Sequence, residues 1–340
     1  MGESEEARIL TEKNATIYVA GHTGMVGSAI VRRLQEQGFS QLILRSRKEL
    51  DLCDQTTVRQ FFMDEKPEYV FNAAARVGGI HANNTFRAQF IYENLQIQNN
   101  LIHFAHESGV RKLLFLGSSC IYPRDCPQPM KEKYLLSGPL EKTNEPYALA
   151  KIAGIKMCEN YFRQYGCHYF SAMPTNAYGP NDNYDLETSH VLPALMRKIH
   201  EAKSGGEKKV TVWGSGKPTR EFIHVDDIAN ACLFIMDLDF PKLYQQGLTH
   251  LNVGTGKEIS IRALVEMIAS VTGFLGSPIF DESMPDGTPK KVMDVSIINE
   301  EGWQHKIDLE DGLAMTYASF AENHTNKNVT EDATFERQTI

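Results

Sequence analysis

Residues 16–38 read TIYVAGHTGMVGSAIVRRLQEQG, and this stretch decides the fold. Residues 16–20 are β-branched and apolar enough to form a strand inside a parallel sheet. A glycine-rich turn occupies 21–27, and apolar positions at helical spacing follow it up to residue 38. A strand, a glycine-rich turn and a helix in this order are typical of the first βαβ unit of a dinucleotide-binding fold.

The same alternation of short apolar strands and amphipathic helices continues along the chain. It predicts a doubly wound parallel sheet of the Rossmann type, an α/β fold. The further predicted strands are residues 41–45, 69–75, 112–119 and 168–175. The predicted helices between them are residues 54–66, a long one that ends near 106, and one that begins near Pro146.

The pattern becomes irregular from about residue 177, which indicates a second, smaller α/β substrate domain. We expect the Rossmann domain to comprise residues 15–176 plus about 222–253, and the substrate domain about 177–221 plus 254–320. The acidic start and the polar end of the chain predict disorder at residues 1–14 and 321–340.

The composition narrows the classes of partner. A net charge of −8 argues against nucleic acid or an anionic membrane, because both attract basic surfaces. No apolar run approaches the length of a membrane span, and the first residues lack the apolar stretch of a signal peptide. The six cysteines show no CxxC spacing, so neither a metal site nor a disulfide framework is expected. These features predict a cytoplasmic protein.

Gly21, Gly24 and Gly27 would let the backbone approach a pyrophosphate at the positive end of the following helix. The end of the second strand decides which dinucleotide binds, because NAD sites place an acidic side chain there. This chain instead carries Arg45 and Arg47, whose guanidinium groups match a 2′-phosphate, so NADPH is the predicted cofactor. The alternative is that both arginines are simply solvated at the surface.

A second group of residues predicts catalysis at a nicotinamide ring. Tyr147 and Lys151 lie four residues apart, which places them on one helix face. A neighbouring ammonium stabilises a phenolate and lowers the pKa of the tyrosine. Ser118 lies at the carboxyl end of the fourth strand, where open α/β sheets bind ligands. The alternative is an ordinary amphipathic helix and a strand-end serine.

With these residues the chain resembles the extended short-chain dehydrogenase/reductases, and within them the GDP-L-fucose synthase family. The resemblance covers residues 15–320. It rests on GHTGMVGSAI (21–30), NAAARVGGIHANN (72–84), LLFLGSSCIYP (113–123), NEPYALAKIAGIKMCE (144–159), MPTNAYGPNDN (173–183), SHVLPALMRK (189–198), VWGSGKPTREFIHVDD (212–227) and PDGTPKK (285–291).

The resemblance implies two reactions on a GDP-sugar: epimerisation at C3 and C5 of GDP-4-keto-6-deoxy-D-mannose, then reduction at C4 by NADPH. It assigns the epimerisation base to Cys120 and the acid to His190, while Tyr147 protonates the C4 oxygen. Without the resemblance, a small buried cysteine and a helix-start histidine would be the simpler interpretation. Bacterial members place an arginine at Thr23, and its absence leaves Arg47 as the principal contact of the 2′-phosphate.

The resemblance also implies binding residues. The further positions implied for the cofactor are Thr23, Met25, Val26, Leu116, Gly117, Ser119, Pro174, Asn176 and Ala177. Those implied for the substrate are Lys198, Trp213, Arg220 and Asp286. A cation suits a diphosphate and an indole suits stacking on a purine or a sugar.

Two other functions stay open, an NAD-dependent nucleotide-sugar 4-epimerase and a catalytically silent NADPH-binding scaffold. Arg45 and Arg47 argue against the first, and the intact Ser118, Tyr147 and Lys151 argue against the second. Two long helices, expected around residues 90–108 and 146–165, resemble those that pair in dimers of this superfamily, so we expect a homodimer.

Overall fold

The computed structural model describes residues 12–284 and 286–335. The strands are β1 Ile17–Ala20, β2 Leu42–Ile43, β3 Tyr69–Asn72, β4 Lys112–Leu116, β5 His168–Pro174, β6 Asn176–Tyr178, β7 Lys209–Trp213, β8 Thr219–Arg220, β9 Phe222–His224, β10 Leu251–Val253, β11 Ile259–Ser260, β12 Ser277–Asp281 and β13 Lys290–Lys291. The helices are α1 Met25–Glu36, α2 Gln55–Glu65, α3 Ile80–Thr85, α4 Arg87–Glu107, α5 Glu145–Tyr165, α6 Val191–Ser204, α7 Val225–Asp237, α8 Phe240–Gln245, α9 Ile261–Thr272, α10 Ser296–Glu300 and α11 Leu309–Phe335.

A parallel six-stranded sheet in the order β2-β1-β3-β4-β5-β10 forms the centre of the molecule. Strand β2 lies on one side of β1, and the chain then returns to place β3 on the other side of β1. This reversal opens a crevice at the carboxyl ends of β1 and β3, where doubly wound sheets bind nucleotides. The predicted α/β fold class is confirmed.

Helices cover both faces of the sheet, as a doubly wound fold requires. On one face, α1 and α7 pack over Val19, Phe71 and Leu114. On the other face, α4 and α5 pack together over Val70 and Phe115. Both faces are therefore buried, which explains why the central strands are apolar throughout rather than alternating.

Local sequence sets the ends of the helices that lead to the crevice. The carboxylate of Asp54 accepts hydrogen bonds from the Thr56 and Thr57 amides at 2.8 and 3.1 Å, so it caps α2 as predicted. Pro146 lies in the first turn of α5, where its missing N–H costs nothing. Gly166 ends the same helix at φ 71°, a left-handed conformation that glycine adopts without strain.

The remaining strands form three small sheets, β11-β8-β13, β7-β12 and β6-β9. Helices α6, α9 and α11 surround a separate core in this part of the chain. Its buried side chains include Leu192, Met196, Val212, Leu264, Ile268 and Leu313. We propose that this group forms the substrate domain.

The structure differs from the sequence prediction at several boundaries. Helix α11 continues to Phe335, into the stretch that we expected to be disordered, because no glycine or proline follows Gly312 to end it. Glu12 pairs with Arg111 at 2.6 Å, although residues 1–14 were expected to be disordered; residues 1–11 and 336–340 lie outside the described part. Ile298 and Trp303 pack into the core under α1 and α7, not into the substrate domain where we had placed them.

Candidate active site

The glycine turn after β1 is shaped to receive a pyrophosphate. Gly21 has φ 79°, and a Cβ atom on it would lie 2.8 Å from the Ala74 backbone. Gly24 is the N-cap residue of α1 and, as a glycine, has no side chain to cap the amides of the first turn. Nδ1 of His22 is buried with no hydrogen-bond partner among the described residues. Free amides at a helix start and an unpartnered ring nitrogen fit the phosphates of a dinucleotide.

Gly27→Ala is expected to lower NADPH affinity by at least about tenfold and to destabilise the fold by about 1–3 kcal/mol. A Cβ atom at this position would lie 2.1 Å from the Gly21 carbonyl oxygen, so the turn would have to move. Fluorescence titration with NADPH and thermal unfolding measure the two effects. Gly24→Ala is the matched control for unfolding, because its Cβ would meet nothing nearer than 3.4 Å. A Gly27→Ala protein with wild-type affinity and melting temperature would contradict this packing.

The two arginines after β2 have different surroundings. The guanidinium of Arg45 forms an ion pair with Glu65 of α2 and also donates to the Leu44 carbonyl at 3.0 Å. Arg47 is 75% exposed, with Glu93 at 3.9 Å. Glu93 also binds Arg76, which follows β3, at 2.8 Å. Arg47 is therefore the arginine of the predicted pair that is left free to meet a 2′-phosphate.

Ser118, Cys120, Tyr147 and Lys151 lie together at the carboxyl end of β4. Oγ of Ser118 accepts a hydrogen bond from the Cys120 amide at 3.5 Å and so caps a short 3-10 turn, Ser119–Ile121. Lys151 on α5 donates to the Leu116 carbonyl at 2.8 Å, which ties the helix to the strand end. The Lys151 ammonium lies 5.7 Å from the centre of the Tyr147 ring.

Burial dominates the titration of the tyrosine and the lysine. It raises the pKa of Tyr147, and it lowers the pKa of Lys151 to about 8. We had expected the ammonium to lower the pKa of the phenol; instead desolvation of the phenolate, followed by the charge of Cys120, raises that pKa. A protonated phenol suits an acid that gives its proton to a newly formed alkoxide.

Cys120 lies in the 3-10 turn after β4 and is 7% exposed. Burial raises the pKa of its thiol, while the positive charge of Lys291, a hydrogen bond with Ser118 and the charge of Lys151 act in the opposite direction. The sequence offered no cationic neighbour for this cysteine other than Lys151. The second cation, Lys291, is supplied by a segment 171 residues later in the chain (291 minus 120).

His190 is the N-cap residue of α6, and the backbone before it contacts the loop after β3. The Gly79 amide donates to the Thr188 carbonyl at 2.7 Å, and a Cβ atom on Gly79 would lie 2.4 Å from the Ser189 carbonyl oxygen. Glycine at this position therefore lets the loop after β3 support the backbone before His190. Desolvation and the charge of Lys291 lower the pKa of His190. Cys120 and His190 thus lie within electrostatic reach of the same lysine.

The residues implied for the substrate form two pairs. The Lys198 ammonium lies 5.2 Å from the ring centre of Trp213, whose side chain is 65% exposed. Arg220 donates to the Thr288 carbonyl at 2.7 Å, and its pKa is lowered by burial and raised in part by the charge of Asp286. The Asp286 carboxylate accepts from the Ser215 hydroxyl at 2.6 Å. An exposed indole beside cations can receive a nucleotide with its diphosphate.

The remaining positions implied for the cofactor border the same crevice. Thr23, Met25 and Val26 belong to the glycine turn and the first turn of α1, and Leu116, Gly117 and Ser119 lie at the end of β4. Pro174, Asn176 and Ala177 lie at the β5–β6 junction, where the Asn176 amide donates to the Glu221 carbonyl at 2.7 Å. These three groups come from strands that end at the same edge of the sheet.

Two residues of the site, Glu221 and Lys291, were not predicted from the sequence. Both lie inside motifs that carried the family resemblance. Glu221 stands between Arg220 and the apolar strand β9, and a carboxylate in such a position is a signal of a buried, hydrogen-bonded acid. Lys291 has no comparable signal, because it is one of two consecutive lysines.

The described residues also bear on metal binding and on insertion into a membrane. They contain no cluster of three or more His, Cys, Asp or Glu side chains placed to hold a metal ion. In the same part of the chain, no helix combines the length and apolar character that a bilayer span needs.

Comparison with known proteins identifies the family. The family model "NAD dependent epimerase/dehydratase family" matches residues 17–254. The chain is 56% identical to GDP-L-fucose synthase 1 of Arabidopsis thaliana over 322 residues, 95% of this chain and 98% of that protein. It is 55% identical to GDP-L-fucose synthase of Escherichia coli K12 over 310 residues, 90% of this chain and 97% of that protein. The chain belongs to the GDP-L-fucose synthase family.

A solved structure of this family agrees with the fold. The GDP-L-fucose synthetase of Naegleria fowleri bound to NADP is 29% identical, with a TM-score of 0.82, and the match covers 92% of this chain and 95% of that one. The resemblance found in the sequence motifs is confirmed. The predicted assignment to an enzyme class, that of nicotinamide-dependent epimerases and reductases, is confirmed with it.

Proposed function

We propose that the protein converts GDP-4-keto-6-deoxy-D-mannose to GDP-L-fucose by epimerisation at C3 and C5 and reduction at C4. The observation that carries this proposal is the gathering of Ser118, Cys120, Tyr147 and Lys151 at the carboxyl end of β4, in the sheet whose strand β1 leads into the glycine turn. The cofactor is NADPH, in agreement with the NADP bound to the Naegleria fowleri relative and with the exposed Arg47. When bound, NADPH supplies the hydride for C4.

In the epimerisation, the C4 keto group of the sugar acidifies the hydrogens on C3 and C5. The Cys120 thiolate takes one of these protons, and the electrons of the C–H bond move onto the C4 oxygen as an enolate. Ser118 donates a hydrogen bond to that oxygen. His190 returns a proton to the same carbon from the opposite face, which inverts the centre.

In the reduction, Tyr147 donates its proton to the C4 oxygen as that carbon becomes tetrahedral. Its raised pKa keeps the phenol protonated until the alkoxide forms. Lys151, fixed to the Leu116 carbonyl, holds a positive charge beside the phenol and stabilises the phenolate that remains. One polarised carbonyl thus serves both reactions, so a single crevice is sufficient for them.

The nucleotide half of the substrate meets the second group of residues. Trp213 stacks on the base or the sugar, and Lys198 binds a phosphate. Arg220 binds the diphosphate, and the Asp286 carboxylate accepts hydrogen bonds from a sugar hydroxyl or from guanine N–H groups. The 5.2 Å distance from the Lys198 ammonium to the Trp213 ring centre and the charge of Asp286 acting on Arg220 support this assignment.

The reduced-nicotinamide absorbance tests this function. Purified protein with NADPH should consume the cofactor only when GDP-4-keto-6-deoxy-D-mannose is added. No decay would favour a silent scaffold. Conversion of UDP-galactose to UDP-glucose with NAD, without net cofactor oxidation, would instead identify a 4-epimerase.

We propose that the chain forms a homodimer through α4 and α5. These helices pack side by side, with Gln98 donating to the Ala150 carbonyl at 2.6 Å. Large apolar side chains on them remain exposed, among them Tyr92 at 62% and Tyr165 at 52%. Exposed apolar side chains on adjacent helices are typical of an interface between subunits.

Light scattering should give twice the mass of the chain. Tyr92→Glu combined with Tyr165→Glu should shift the protein toward the monomer, because two charges would be buried at the interface. Met315→Glu is the control, since Met315 is 46% exposed on a different helix, α11. A monomeric wild-type protein would contradict the proposed dimer.

We further propose that the protein works in the reducing cytoplasm. All six cysteines are free thiols in the structure. Cys120 must stay reduced to act as a base, and a reducing compartment preserves it.

A further inference from the structure

Glu221 anchors two distant segments of the chain through its carboxylate. The side chain is fully buried, and it accepts hydrogen bonds from the amides of Thr255 at 2.6 Å, Gly256 at 2.8 Å and Met293 at 2.7 Å. One oxygen binds the turn after β10 and the other binds the residue two positions after β13. Such donors stabilise a buried carboxylate and fix the backbone that supplies them.

The same anchor fixes Lys291. Strand β13 pairs in parallel with β8 and places Lys291 opposite Arg220. The next residue, Val292, forms two hydrogen bonds with the segment that follows Cys120. Its amide donates to Gln128 at 2.9 Å, and its carbonyl accepts from the Met130 amide at 2.9 Å. The backbone at Lys291 therefore lies between strand β8, which contains Arg220, and the segment around residues 128–130 that follows Cys120.

Residue Lys291 is half-buried, and its ammonium forms no hydrogen bond or ion pair with any described residue. A cation in this situation is costly unless an anion meets it. Burial lowers the pKa of Lys291; negative charge on Cys120, Cys126 and Glu141 favours its protonated form, and the charge of Arg220 opposes it. Cys120 is the anion among them that the proposed reaction requires.

Cys120 faces charged and titratable groups from two directions. Lys151 and Tyr147 act on it from α5, and Lys291 acts on it from β13. Lys151 is tied to the Leu116 carbonyl and serves the phenol, whereas the Lys291 ammonium has no hydrogen bond or ion pair with a described residue. After burial, Lys291 is the largest influence on the pKa of Cys120, and it acts in the direction of the thiolate.

We propose that Lys291, fixed by the Glu221 anchor, is the positioning residue whose positive charge keeps Cys120 available as a thiolate for epimerisation. This rests on the proposed function. Without Lys291, the buried thiol would hold its proton more tightly, and abstraction from C3 and C5 would slow before reduction did.

Lys291→Met tests the proposal, because it keeps the length of the side chain and removes the charge. The measurement is the pH dependence of deuterium exchange from D2O into C3 and C5 of GDP-4-keto-6-deoxy-D-mannose, with NADP⁺ present so that reduction cannot follow. We expect the midpoint of the profile to rise by about one pH unit, with exchange roughly tenfold slower below it. Lys291→Arg should retain the wild-type midpoint.

Lys290→Met is the matched control, since Lys290 pairs with Glu258 at 2.5 Å and is the neighbouring lysine on the same strand. Its midpoint should not move. Glu221→Gln should shift the midpoint in the same direction as Lys291→Met, because an amide nitrogen facing the Met293 amide cannot accept its hydrogen bond.

An unchanged midpoint in Lys291→Met, with only a higher KM for the substrate, would overturn the proposal and make Lys291 a diphosphate ligand. Failure of the proposed function has a different signature. In that case the wild-type protein itself would show no exchange at C3 and C5 at any pH.

Discussion

Tyr147→Phe should lower the rate of NADPH oxidation by about 10²–10⁴-fold while leaving deuterium exchange at C3 and C5 measurable. The substitution removes one hydroxyl and keeps the ring that packs edge-on to Phe90 at 6.4 Å, so the fold should be preserved. Reduction needs a proton for the C4 oxygen, and the Tyr147 phenol lies beside Lys151, whose ammonium is 5.7 Å from the ring centre. Epimerisation depends on Cys120 and His190 instead.

The measurement combines two readouts on one preparation. Absorbance follows NADPH, and mass spectrometry of the recovered sugar in D2O follows exchange. Tyr165→Phe is the matched control, because Tyr165 lies on the same helix and is 52% exposed, and it should leave both rates unchanged. If exchange disappeared together with reduction in Tyr147→Phe, the roles of the tyrosine and the cysteine would be wrongly divided.

Cys120→Ser should suppress exchange at C3 and C5 by about 10²-fold or more. A serine hydroxyl occupies nearly the same space, but it holds its proton far more strongly than a thiol, so it cannot act as the base near neutral pH. The cations Lys291 and Lys151 cannot compensate for a difference of that size. NADPH oxidation should fall as well, because reduction then lacks the epimerised sugar.

The control for this substitution is Cys126→Ser. Cys126 is the other thiol on which the charge of Lys291 acts, but burial desolvates it less. The rate of deuterium exchange in Cys126→Ser should equal that of the wild-type protein. Wild-type exchange in Cys120→Ser would remove Cys120 from the mechanism.

The parts of the site that lie close together in sequence were predictable. The glycine turn from Gly21 to Gly27, the pair Tyr147 and Lys151, and Ser118 after its strand each depend on one strand or one helix. Periodicity and the rule that ligands bind at the carboxyl ends of parallel strands were sufficient to place them in one crevice.

The parts that depend on contacts between distant segments were not predictable. Lys291 acts electrostatically on Cys120 from β13, which is held beside β8; both strands have two residues and no periodicity of their own. The ion pair of Arg45 with Glu65, which engages a guanidinium predicted to bind the 2′-phosphate, depends on the packing of α2. Likewise, the extension of α11 beyond residue 320 was not predictable, because composition alone does not distinguish a polar helix from a disordered tail.

A single incubation in D2O tests most directly whether one crevice performs both reactions. The purified protein is mixed with NADPH and GDP-4-keto-6-deoxy-D-mannose, and the product is analysed by NMR and mass spectrometry. We predict GDP-L-fucose with deuterium at C3 and C5, with one NADPH oxidised for each molecule formed. A reduced sugar without deuterium at these carbons, or exchange without oxidation of NADPH, would contradict the shared site.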